Sequence, residues 1–294
     1  MGDVVRYGTS ENTFTTRGPS PEIWKDCPIQ SFQEDPGKGI HVFDDFRNSI
    51  VLKETASGTD FTSSVGRVAG DINWYSFVET TKLVDHSIPQ NDIGVLQLLG
   101  DTSDQDVNVA VTGFNVQGII KTPKVGEEKR FWFEARVKVS TITDADLGMF
   151  IGLTEPGQAA NAKGVFAGDA AALDSNADYI GFAILEGDGD DIIVAYNEAS
   201  AGTAQSSTGV ITPVADTYVR LGIKLVVLGS GGAKIRFFAD GVDLGDAVAV
   251  DISGTNANWP GDTDMDLVLS LVTGSGGGSD DALSIDWVRF AQEY

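Results

Sequence analysis

Chemistry in this 294-residue sequence would have to be built around two histidines, one cysteine and a large excess of carboxylates. His41 sits in "GIHVFDDF", alternating with apolar neighbours, and reads as a structural histidine; neither it nor His86 has the Cys/His spacing of a zinc site. Cys27 has no second thiol to pair with, so a disulfide framework is excluded and a small, half-buried apolar role is expected. Two acidic stretches, "EGDGDDI" (Glu186 to Ile192) and "GDTDMD" (Gly261 to Asp266), cluster oxygen ligands of the kind calcium takes. Neither has the spacing of a helix-loop-helix calcium loop, so solvated acidic turns are expected, with a weak calcium site as the alternative. Glycoside hydrolysis needs two carboxylates at a fixed separation across a groove. Glu134 stands alone on its strand among Trp132, Arg136 and Lys138, and Asp286 stands alone in "LSIDWVRF". Each reads as an outward polar residue or a partner of a nearby Arg or Lys. There is no Gly-x-Ser-x-Gly elbow, and the Gly-rich run Gly274 to Gly278 lacks the lysine of a phosphate loop. The expectation is a chain with no catalytic residues, no cofactor and no enzymatic activity.

The elements that would position any site are strands. Glycine is abundant, at 35 residues, and no stretch after Ile40 carries a long helical period. In "FWFEARVKV" Phe131, Phe133, Ala135, Val137 and Val139 share one face, and Trp132, Glu134, Arg136 and Lys138 the other. "TYVRLGIKLVV" repeats the pattern, with Val219, Leu221, Ile223, Leu225 and Val227 inward; "MDLVLSLV" aligns Leu267, Leu269 and Leu271. Asp240-Gly241, between two apolar runs, marks a tight hairpin. Gly148, Gly152 and Gly181 inside strands point to bulges or close packing. About a dozen such strands give an all-β, two-sheet antiparallel β-sandwich over residues 39–294.

Residues 1–38 differ. Pro19, Pro21, Pro28 and Pro36 break ladders and helices, allowing at most one helical turn after Pro21 with Ser20 as its cap. Yet Tyr7, Phe14, Ile23, Trp24, Ile29 and Phe32 are spaced through the segment, and flexible linkers do not usually carry such anchors. This extended N-terminal arm either wraps its own domain or docks on a neighbouring subunit, with those six residues as the partner-binding set. The tryptophans at 24, 74, 132, 259 and 287 default to packing roles, although a carbohydrate-binding face would want two or three of them exposed.

Charge narrows the partners. With 43 acidic against 20 basic side chains the chain repels phosphate backbones and anionic membranes, so neither nucleic acid nor membrane is expected. Residues 140–218 hold twelve acidic side chains and one basic one, Lys163, in long Gly/Ala/Ser/Asp-rich loops expected to be exposed. The opening "MGDVVRYGTSENTF" has no apolar core of a secretory signal, which suggests synthesis in a cytosol.

The order "HVFDDF", "FWFEARVKV", "GMFIGLTE", "YVRLGIKL", "KIRFFADG" and "LSIDWVRF" resembles the concanavalin A-like lectin/glucanase jelly-roll sandwich over about residues 40–294. The Glu-x-Asp-x-x-Glu string of its laminarinase-type glycosidases is absent here. The opening "RGPSPEIWKDCPIQSFQEDPGKGIHVFDDF" resembles the start of tailed-phage proteins that carry this sandwich. That resemblance implies a virion structural protein, assembled in the host cytoplasm, that decorates or cements the capsid surface. Its implied partners are the major capsid protein and neighbouring copies of itself in a homo-oligomer. A glycan-binding module on a virion surface is the alternative, with a polysaccharide hydrolase behind it.

Overall fold

The structure, a computed structural model, describes residues 17–47, 74–78, 94–100, 102, 107–111, 118–123, 129–157, 165–167, 170–189, 191–201, 205–228, 232–252, 256–278 and 281–294. Tyr7 and Phe14, and the histidine at 86, lie outside these residues. Strands are numbered along the chain. The first sheet, sheet A, is ordered β1 (Gly39–Asp44), β16 (Ala282–Glu293), β6 (Phe131–Val139), β11 (Val219–Leu228), β12 (Gly232–Ala239) and β13 (Val242–Asp243); β3 (Leu96–Leu99) also pairs with β16, and β14 (Val250–Asp251) with β12. Sheet B is ordered β10 (Gln205–Ser206), β9 (Ile193–Asn197), β8 (Tyr179–Ile184), β7 (Leu147–Thr154), β15 (Asp264–Thr273), β4 (Val107–Val111) and β2 (Tyr75–Val78), with β5 (Ile120–Lys121) against β15. The described pairings are antiparallel, and each sheet joins hairpin neighbours such as β11 and β12 to strands from distant parts of the chain, such as β1 with β16 and β7 with β15, as in a jelly roll.

Alternation explains the slab. The odd residues of β6 from Phe131 to Val139, and Leu221, Ile223 and Leu225 of β11, face Leu267, Leu269 and Leu271 of β15 across one continuous core. Phe182 of β8 meets Phe237 of β12 edge-on at 5.6 Å, bridging the sheets. Val227 breaks the expectation: it is 52 % exposed near the end of β11, although its partner Ala233 is buried in the core. The Asp240-Gly241 turn forms as expected, with both residues at positive φ (49° and 80°), the geometry that keeps twisted strands in register.

β16 carries the feature that matters most for the surface. Leu283 and Ile285 point inward, the register then slips between Ile285 and Trp287, and Val288 and Phe290 point inward instead. Past this bulge the outward set becomes Trp287, Arg289 and Ala291, placing Arg289 directly across from Phe43 of β1.

The outer face of sheet B is closed by the chain itself. Val165, Phe166, Ala170, Leu173 and Ala177 bury themselves against Phe150, Tyr179, Ala183, Ile193, Ala195 and Val268. The expectation of wholly exposed loops here is corrected. Gly152 and Gly181 pair side by side, and Gly148 lies beneath Phe166 and Ala170, so the face is a trough shallow enough for those apolar side chains to fill.

A polar latch and an adjoining groove on sheet A

The outer face of sheet A is covered by the leader. Two short helices, α1 (Pro21–Trp24) and α2 (Ile29–Glu34), lie on it. Pro21 starts α1 as expected, but Ser20 makes no side-chain cap bond. Its amide instead donates to Glu134 at 2.9 Å, and Trp24 Nε1 donates to the same carboxylate at 2.7 Å. Glu134 is fully buried, and burial pushes its carboxyl above the usual range despite these bonds. Beside it Lys224 Nζ (2.7 Å) and Trp132 Nε1 (3.1 Å) donate to Asp26. Burial works to raise the Asp26 carboxyl, but these donors outweigh it and hold it below its ordinary value. At the near end Arg17 Nε donates to Asp286 at 2.9 Å, Arg136 Nη1 donates to the same carboxylate at 2.7 Å, and Trp287 Nε1 donates to the Arg17 carbonyl at 2.6 Å.

Of the two courses open to the leader, residues 17–35 wrap their own domain. Ile23, Trp24 and Phe32 are buried with Trp132, Phe238 and Ala291, and Cys27 and Ile29 pack against them half-exposed. Gly222 of β11 makes room for Ile23: a Cβ there would stand 2.3 Å from its Cδ1. Burial pushes the Cys27 thiol up to about 12, which removes it as a nucleophile. Glu134 faces outward from its sheet as read, but the leader seals it in, so it is not a solvated surface residue. Asp286 fulfils its reading as a partner of arginines.

The leader leaves a groove between itself and β1. One hollow of about 1110 Å³ is lined by Trp24, Cys27, Ile29, Gln30, Gln33, Glu34, His41, Phe43 and Arg289, among others. A second, about 220 Å³, is lined by Arg17, Phe43, Asp45, Arg47, Asp286 and Trp287 with neighbouring glycines and Pro19. Phe43 and Pro19 belong to both. Phe43 is 43 % exposed and its ring lies 6.0 Å from that of Trp287, tilted by 36°. Arg289 lies over the Trp24 ring at 4.2 Å, and its Nε donates to His41 Nε2 at 3.1 Å. Aromatic faces with planar polar groups along a concave strip suit a ligand that has both apolar faces and hydroxyls or charges. Sequence reading missed this strip, because it depends on β1 meeting the far side of a bulge.

The acidic stretches go elsewhere. Glu186 accepts from Ser275, Lys121 pairs with Asp262 at 3.1 Å, and Asp266 is buried within β15. Among the described residues there is no group of three or more metal-ligating side chains.

No family model and no curated protein matches the sequence. Solved structures do. A protein of unknown function, SO2946, from Shewanella oneidensis MR-1 is 14 % identical, covers 90 % of this chain and 94 % of its own, and superposes with a TM-score of 0.47. The endo-1,3-beta-glucanase of Streptomyces sioyaensis is 13 % identical over 87 % of this chain and 97 % of its own, with a TM-score of 0.48. The endo-beta-1,4-glucuronan lyase of Trichoderma reesei is 8 % identical over 85 % and 94 %, with a TM-score of 0.47. The fold is an antiparallel two-sheet sandwich of jelly-roll type, and the solved structures it resembles include glucanases and carbohydrate recognition domains. The expectation of a chain without enzymatic activity is withdrawn: glucanases and a lyase stand among the solved structures similar to it. At these identities the likeness concerns the fold and assigns no residue a role.

Proposed function

We propose that this chain is a glycan-binding module whose site is the groove on the outer face of sheet A beside the leader. The observation that carries it is Phe43, a half-exposed ring that lines both hollows, backed by Trp287. Sugar rings stack their C–H faces on aromatic rings and spend their hydroxyls on planar polar groups, which Arg17, Asp45 and Arg47 supply in the smaller hollow. The latch beneath keeps the strip in shape, so little ordering would be lost on binding. A glycan array, run with and without calcium and followed by titration calorimetry, tests this. Phe43→Ala should lower affinity about tenfold or more, in line with an aromatic anchor of the binding site. Unchanged affinity in a folded variant would remove the groove from the reading.

Assembly on a tailed-phage capsid is a second reading, favoured by the way the leader is pinned. Arg17 is tied to Asp286 and Trp287, so the sixteen residues before it, with Tyr7 and Phe14, start from a fixed point. Ile23, Trp24 and Phe32 are committed inside, so contact with the major capsid protein or with other copies would fall to Tyr7, Phe14 and the half-exposed Ile29. Deleting residues 1–16 should abolish binding to capsid shells while leaving thermal stability unchanged; full binding by the truncated protein would sink this reading.

A further inference from the structure

We propose that the groove selects acidic saccharides, with Arg289 as the receptor for a uronate-type carboxylate; this rests on the glycan-binding reading. Arg289 is only 8 % exposed and lines the larger hollow. Its contacts are the His41 imidazole, which accepts from Nε, and the rings of Trp24 at 4.2 Å and Phe43 at 6.0 Å. None of these carries negative charge. Among the described residues no carboxylate forms an ion pair with it, although the chain has 43 of them. The other arginines around the groove are already paired, Arg17 and Arg136 with Asp286 and Arg47 with Asp45.

The nearest carboxylate in register makes the point sharper. Glu134 stands across from Arg289 on β6, yet its oxygens are taken by the Ser20 amide and Trp24 Nε1. The Trp24 indole serves both, presenting its edge to Glu134 and its face to Arg289. A charge this far from water is kept only where something compensates it. Rings supply part of that, and their stacking fixes the guanidinium plane. The remaining N–H groups offer the forked geometry that matches a carboxylate. Phe43, opposite Arg289 in the strand pair, then lies where the sugar ring bearing that carboxylate would stack.

The test compares short oligomers of glucuronate, mannuronate and galacturonate with neutral hexose oligomers of equal length, and with polyglutamate, by calorimetry at low and high salt. Uronate binding that weakens with salt, absent for neutral oligomers and polyglutamate, is expected. Arg289→Gln should lower it about 10- to 100-fold, as for loss of a charge-assisted bond, and Arg289→Lys should restore it only in part. If Arg289→Gln misfolds, the salt dependence and the neutral-against-acidic preference of the unaltered protein still decide. Equal binding of neutral and acidic oligomers, with Phe43→Ala still harmful, overturns the acidic preference and leaves the groove reading intact. Equal binding of polyglutamate overturns the saccharide assignment. Binding of no saccharide at all overturns both.

Discussion

The two outer faces of the sandwich are both closed by the chain, but with different chemistry. Sheet B is covered by Phe166, Leu173 and small residues that close over Gly148, and Gly152 and Gly181 let the strands beneath lie close together. Sheet A is covered by a leader held through Glu134, Asp26 and Asp286, with apolar packing from Ile23, Trp24 and Phe32 between those points. Apolar closure tolerates changes of pH and salt but not of volume. Polar closure responds to protonation, and it leaves charged groups such as Arg289 beside an open groove. The difference teaches where a binding site can form: the apolar face fills itself, and the polar face keeps an unfilled strip.

Three substitutions would break or sharpen this contrast. The larger effect belongs to sheet B. A Cβ at Gly152 would stand 2.2 Å from the Ile180 carbonyl oxygen and 2.6 Å from the Gly181 Cα, both backbone atoms that cannot swing aside. Gly152→Val should therefore cost roughly 3 kcal/mol or more in denaturant unfolding, at the upper end of overpacking effects. A loss below about 1 kcal/mol would mean that the two strands can part without cost to the trough.

The smaller effect belongs to sheet A and has a sign that depends on pH. Glu134 titrates above its ordinary 4.5 in the folded chain, so the folded state holds that proton more tightly than the unfolded one. Stability from this group is therefore full below 4.5 and falls as pH rises through the raised value. Asp26 titrates below its ordinary 3.8, so its contribution is present above 3.8 and is lost as pH falls through the lowered value. Thermal midpoints against pH should show both slopes. Glu134→Gln should flatten only the upper one and Asp26→Asn only the lower one; an unaltered upper slope in Glu134→Gln would show that another group controls it.

Much of the slab could be read from residues alone. The alternation of β6, the aligned leucines of β15 and the Asp240-Gly241 turn are local patterns, and their physics is local too. The helical turn after Pro21 was legible for the same reason. The groove was not. Its parts come from β1, the leader and the far side of the β16 bulge, and nothing in a strand's own sequence announces a slip of register between Ile285 and Trp287. Glu134 looked like an ordinary surface carboxylate because the residues that bury it lie more than a hundred positions earlier. Val227 kept the inward parity of its strand, but parity cannot tell which strand-end residues end up exposed.

The pinning of Arg17 to Asp286 and Trp287 joins positions 269 and 270 residues apart. During synthesis the leader leaves the ribosome well before β16, the strand that completes its docking surface. Until then Ile23, Trp24 and Phe32 have no finished seat, and the segment is free to meet other molecules. The leader thus settles only once β16 is in place, and that strand acts as the clasp that decides when the chain stops offering those residues.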